Sequence, residues 1–201
     1  ILLGSACGQT YAFQVVAVGS GGARSTPNMP AFVYTQPPCP VYAEVQFLTV
    51  KSSETDDQSC EFPNMKTCYS YKRCDEISIY YELFALGAGH EPVVIKVGTD
   101  QRSYPYKCGI EYRFVEQLGA TEDTIVVPID PNLPEVRVGT VFWESDLHDD
   151  DRFGLTGEDI KHPYDQWPTV DEDFTLKAET MGDTADLVVT GHIRGFYYPG
   201  P

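Results

Sequence analysis

Two hundred and one residues, 42% of them hydrophobic, suffice for one sandwich domain plus a smaller piece, or for two small domains. Thirty Asp and Glu against 14 Lys and Arg give a formal net charge of −16, which speaks against nucleic acid as a partner, since that requires a basic footprint, and in favour of divalent cations. Seventeen Gly and 15 Pro punctuate segments rich in Val, Ile, Tyr and Phe; with no helical periodicity, the expected class is all-β.

The charge is unevenly spread. Residues 1–40 hold one charged side chain, Arg24, and subtracting it from −16 leaves residues 41–201 at −17. Two units with different surfaces are expected, at 1–38 and 39–201. The six cysteines, Cys7, Cys39, Cys60, Cys68, Cys74 and Cys108, suit an oxidising compartment, and Cys60, Cys68 and Cys74 read as a disulfide-stapled loop. Zinc is disfavoured there because no C-x-x-C pair occurs and no His lies close by. Ile1-Leu2-Leu3-Gly4 is too short for a leader or a membrane span. Asn28, Asn64 and Asn132 all fail the glycosylation sequon.

In the first forty residues, Tyr11, Phe13, Val15 and Ala17 share one face of a period-two run, predicting a half-buried strand. Gly19-Ser20-Gly21-Gly22 reads as a turn, and Ala31–Thr35 as a second strand ended by Pro37-Pro38. The Cys7-Gly8-Gln9-Thr10-Tyr11 turn followed by Tyr-x-Phe-x-Val-x-Ala resembles the C-terminal half of a fibronectin type III domain, over residues 1–36, with Ser5 and Cys7 in place of the family's usual Leu and Pro. The resemblance implies the last strands of a sandwich of about seven. Such a half-module exposes open edges; the favoured expectation is that further chain upstream completes it, and the alternative is that a neighbouring copy adds strands.

After Cys39-Pro40 the alternation becomes regular. Val41–Phe47, Ile77–Leu83, Val93–Val97, Glu111–Val115, Thr124–Pro128, Val136–Trp143, Phe174–Ala178 and Leu187–Ile193 each read as a strand, and about eight strands make a β-sandwich. A polar loop containing Asp56 and Asp57 is expected after the first. The sixth strand runs into Glu144-Ser145-Asp146-Leu147-His148-Asp149-Asp150-Asp151, five carboxylates in eight residues. Mutual repulsion makes this costly unless a cation or full solvation relieves it. Calcium takes six to eight oxygens, and carboxylates at a strand end can converge on one ion; an EF-hand is disfavoured because its Gly, its final Glu and its leading helix are missing.

Trp143-Glu144-Ser145-Asp146 and Asp151-Arg152-Phe153-Gly154 resemble the third calcium loop of a C2 domain, with Glu for the first Asp and Phe for Ile. The resemblance implies calcium ligation by Glu144, Asp146 and Asp151, with Asp150 as an additional ligand. It also implies ligands from an earlier loop, a role that Asp56 and Asp57 match by position alone. The cysteine cluster and the long 155–173 connection depart from the pattern.

Other candidates carry less. His90, His148, His162 and His192 are scattered, with only His148 near the acids, and Asp171-Glu172-Asp173 reads as an acidic loop surface. Esterase-elbow, phosphate-loop and dinucleotide motifs are missing. The expected protein is a secreted, non-enzymatic, calcium-binding structural or adhesion module. Its first unit suggests self-association in a filament or matrix, or an extracellular protein or glycan partner. Leu147 and Phe153 among acids make a poor membrane-binding tip. The alternative is a non-catalytic accessory domain of a secreted hydrolase.

Overall fold

The computed structural model describes residues 7–26, 32–35, 39–53, 55–60, 68–73, 76–99, 101–145, 152–179 and 185–198. The chain divides into two compact units, Ile1–Pro40 and Val41–Pro201.

In the first unit, β1 (Thr10–Phe13) pairs antiparallel with β2 (Phe32–Thr35), from Thr10 opposite Thr35 to Phe13 opposite Phe32. The Thr10 and Thr35 hydroxyls meet at 3.0 Å, and Cys7 and Cys39 form a disulfide. The period-two run through Val18 predicts a longer strand than β1. The returning segment carries Pro27 and Pro30, which have no N–H to give to a ladder. Beyond Phe13 the described residues form an isolated bridge, Val18 with Arg24, around the glycine turn. All four residues of β2 are exposed.

The second unit is a two-sheet antiparallel sandwich. Its strands are β3 (Val41–Ser52), β4 (Thr55–Cys60), β5 (Cys68–Arg73), β6 (Glu76–Gly87), β7 (Val93–Val97), β8 (Tyr104–Lys107), β9 (Tyr112–Arg113), β10 (Thr124–Pro128), β11 (Glu135–Glu144), β12 (Arg152–Lys161), β13 (Asp171–Glu179) and β14 (Ala185–Tyr197). One sheet runs β10-β3-β14-β13 with β9 appended; the other runs β12-β11-β6-β7 with β8 appended. These two paths are the eight strands of the sandwich, and β4 and β5 form a separate two-stranded hairpin.

Alternation builds the core. Val41, Ala43, Val45 and Phe47 of β3 face Ile79, Tyr81, Leu83 and Ala85 of β6 and Val136, Val138 and Phe142 of β11, all buried. β3 then changes phase. Phe47 stands opposite Gly191 and Thr49 opposite Thr190, so Leu48 is the extra residue of a bulge and burial passes to Val50 and Ser52. The sheet edges are tied by the Thr156 hydroxyl donating to the Lys177 carbonyl at 3.0 Å.

Several segments differ from expectation. Glu111–Val115 does not form one strand: two residues pair as β9, and Phe114–Gln117 make the helical turn α1. Phe114 and Leu118, four apart, are both fully buried, a helical spacing. The expected 155–173 connection contains most of β12 and a 3-10 turn, Trp167–Thr169. Asp171-Glu172-Asp173 open β13 and are not a loop.

One end of the sandwich is closed by Trp167. Its side chain is fully buried, its indole N–H donates to the Pro134 carbonyl at 2.9 Å, and its ring meets His162 edge-on. Gly195 of β14 lies beneath: a Cβ there would sit 1.7 Å from the Trp167 carbonyl oxygen.

Candidate functional site

The register places several strand ends together opposite the Trp167 end. Leu187, near the start of β14, pairs with Ser52 at the end of β3; Glu76, the start of β6, pairs with Lys107; Glu144, the end of β11, pairs with Ile79. The Gly109 N–H donates to the Ser52 carbonyl at 2.8 Å and joins the two sheets at this end. The connections leaving β3 and β11 therefore emerge from the same end. The first carries Asp56 and Asp57, and the second carries residues 145–151.

Glu144 is the buried carboxylate among the described residues of this end. Val136, Val138, Thr140, Phe142 and Glu144 alternate along the inward face of β11, and Glu144 is 7% exposed. Its carboxylate thus terminates a core column, between the sheets, where the connections leave. A carboxylate is withdrawn from water only with hydrogen-bond, ionic or metal partners. Next to it, the Ser145 N–H donates to the Ser78 carbonyl at 2.7 Å, holding the end of β11 to β6. A register shift between Phe142 and Trp143 puts Arg152 opposite Trp143 and Gly154 opposite Phe142. This bulge bends the β11–β12 pair as it enters the acidic connection.

Of the other expected ligands, Asp146, Asp150 and Asp151 lie outside the described residues, as does His148. Asp56 and Asp57 are placed by their backbone in β4, opposite Lys72 and Tyr71, and not in an irregular loop. A strand forms here without an apolar face because β4 and β5 pair with each other, and pairing alone satisfies their backbone groups. The expected stapled loop of Cys60, Cys68 and Cys74 contains this hairpin, with Cys60 opposite Cys68 in register; Cys74 lies outside the described residues. Cys108 is disulfide-bonded. Among the described residues, no three His, Cys, Asp or Glu side chains are grouped to hold a metal ion.

A second acidic group lies on the outer face of the first sheet. His192 of β14 donates or accepts at both ring nitrogens, Nε2 to Asp171 at 2.7 Å and Nδ1 to Asp173 at 2.8 Å. With both nitrogens engaged, the ring is a cross-strand clamp and not a metal ligand. The hydrogen bond to Asp173 first, then that to Asp171, raises the pKa of His192 above its ordinary 6.5. A raised folded-state value means the clamp's stabilisation is complete below about pH 6.5 and is lost as pH climbs through the folded-state value. Both acids are largely exposed, so the clamp is worth no more than about 1 kcal/mol. Chemical denaturation of wild type and His192→Gln should show a gap that is widest near pH 6 and closes in alkali. A gap that widens with pH would contradict the clamp.

An aromatic feature was not legible as a site. Trp143 and Tyr80, opposite each other across β11 and β6, stack at 5.3 Å with planes 8° apart on the outer face of the second sheet. Beside them Lys96 pairs with Glu82. The one available signal was that both aromatics occupy outward positions of their alternating strands.

No protein-family model matches the sequence, and no curated protein matches it. Among solved structures, the chain is similar to a C2 domain of a plant Extended Synaptotagmin 1, at 7% identity over 79% of this chain and 96% of that one, with a TM-score of 0.41. It is also similar to a C2 domain protein from Ramazzottius varieornatus, at 13% identity over 80% of this chain and 91% of that one, with a TM-score of 0.40.

Proposed function

We propose that the second unit is a C2-like, non-catalytic module that binds calcium at the acidic end of its sandwich. The observation that carries this reading is Glu144, a nearly buried carboxylate that ends the inward column of β11 two residues before Asp146. Asp150 and Asp151 follow in the same connection, and the hairpin bearing Asp56 and Asp57 leaves β3 at the same end. Glu144, Asp146 and Asp151 supply most of the oxygens, Asp150 adds to them, and Asp56 or Asp57 completes the shell from the other connection. Filling the end with a divalent ion offsets repulsion that the net charge of −16 otherwise makes worse.

The same reading places the protein outside the cell, as a structural or adhesion module. The Cys7–Cys39 disulfide supports an oxidising compartment. Phe32, Val33 and Tyr34, exposed at 64%, 68% and 50% on β2, support association of the first unit with further β structure.

Calorimetric titration with calcium tests the site. A dissociation constant around 10⁻⁴–10⁻³ M is expected, as for extracellular calcium modules. At tenfold excess over the dissociation constant, the folded state should gain about 1.4 kcal/mol. Asp146→Asn combined with Asp151→Asn should abolish both heat and stabilisation, and Glu144→Gln should weaken binding. Absence of heat from the wild-type chain at about 10 mM calcium, well above that range, sinks the reading.

A further inference from the structure

On the outer face of the second sheet, a cavity of about 400 Å³ is lined by Tyr80, Glu82, Lys96, Gly98, Thr99 and Trp143. We propose that this groove binds a neutral saccharide, with one sugar ring against the Tyr80–Trp143 pair and its hydroxyls held by Glu82, Lys96 and Thr99. The inference is independent of the calcium reading.

Three features favour this ligand chemistry. First, the stacked rings are half-buried and line the cavity, presenting aromatic surface at its wall. The C–H groups of a pyranose, made slightly positive by the oxygens they adjoin, complement the negative faces of aromatic rings. Second, the polar groups are mixed. Glu82 accepts, Lys96 donates, and the Thr99 hydroxyl does both, which matches the alternating demands of vicinal hydroxyls. Third, the two charges of the lining pair with each other. The groove is therefore close to neutral within a unit of net charge −17, and the surrounding field repels an anion.

The groove is also built in advance. Gly98 has φ +82°, and a Cβ there would lie 2.5 Å from the Arg102 carbonyl oxygen and 2.9 Å from the Tyr80 Cβ, so the 99–102 turn packs this closely on Tyr80 only with glycine at the position. Thr99 and Arg102 exchange backbone hydrogen bonds of 3.0 and 2.9 Å, which fixes the turn that forms the rim. A rigid rim reduces the ordering cost of binding a small polar ligand. A smaller adjoining cavity of about 290 Å³ shares Lys96, Gly98 and Thr99 and extends toward Arg102 and Tyr104, giving room for a second sugar unit.

The test is calorimetry on the full chain in EDTA, which removes any calcium site from the outcome. The probes are cellohexaose, laminarihexaose, mannohexaose and N-acetylchitohexaose, with inositol hexakisphosphate as an anionic comparison. At least one neutral oligosaccharide should bind with a dissociation constant of about 1 mM or tighter. Tyr80→Ala and Trp143→Ala should each weaken it by about tenfold. Glu82→Gln, at the rim, should weaken it several-fold with the fold intact. The proposal is overturned if none of the four sugars binds at about 10 mM, tenfold above the expected constant, if binding is unchanged in Tyr80→Ala and Glu82→Gln, or if only inositol hexakisphosphate binds.

Discussion

Trp167→Ala is expected to destabilise the second unit by about 3–5 kcal/mol, the range for removing a fully buried large aromatic. The indole is 0% exposed and closes the sandwich end opposite Glu144. Its loss opens a void between the sheets and deprives the Pro134 carbonyl of its 2.9 Å donor. For a unit of this size, the melting temperature should fall on the order of 10 °C. Trp167→Phe separates the two contributions. The ring refills most of the space but cannot donate, so the remaining loss should be about 1 kcal/mol. Chemical denaturation followed by far-ultraviolet dichroism measures both. A loss below about 1 kcal/mol for the alanine variant, far under the range for such a side chain, would show that Trp167 is not the plug.

The second large effect is expected at Gly195. A Cβ there meets the Trp167 carbonyl oxygen at 1.7 Å, its carbonyl carbon at 2.6 Å and Pro168 N at 3.4 Å. These are backbone atoms and cannot rotate aside, so either the 3-10 turn or β14 must move. The penalty of Gly195→Ala should reach the upper end for overpacking, about 3 kcal/mol. Because the clash is with main chain, it should persist in the Trp167→Ala background, but the two positions touch and the vacated space lets the turn shift, so the double variant should lose less than the sum of the two. Gly157→Ala is the control. Its Cβ would come no nearer than 3.3 Å, to the Val138 carbonyl, and the change should cost under about 1 kcal/mol. Equal losses at Gly195 and Gly157 would refute the steric account.

How much of this was readable depended on whether a strand has one wet and one dry face. Val41–Phe47, Ile77–Leu83 and Val136–Trp143 alternate because each lies inside a sheet with one side on the core, and they were legible as β3, β6 and β11. β12 was not, because it is a sheet edge whose described side chains offer Thr156 as the one buried position. β8 contains Pro105, which argues against a strand, yet it pairs with β6 alone and so needs no N–H on its other side. The alternation of the β4–β5 hairpin is limited to Tyr69 and Tyr71 of β5, opposite Ser59 and Asp57, too short to read as a strand. At the acidic end, Glu144 was readable from its place at a strand terminus, whereas its burial was not, since the same alternation that marks Phe142 as core gives no hint that the column continues into a carboxylate. The Tyr80–Trp143 pair was hidden because register, which brings them opposite, is set by contacts distant in sequence.

The position of β14 has a consequence for how the second unit acquires its structure. This last strand lies between β3, the first strand of the unit, and β13. Tyr197 pairs with Val41 and Phe196 with Tyr42, so the sheet is stitched across nearly the whole length of the unit. During synthesis, β3 must wait with an unfilled edge until β14 has left the ribosome, so this sheet cannot close before residue 197 has emerged. Such long-range pairing places refolding in the millisecond-to-second range or slower, and a nascent chain stalled before residue 185 would still expose the edge of β3.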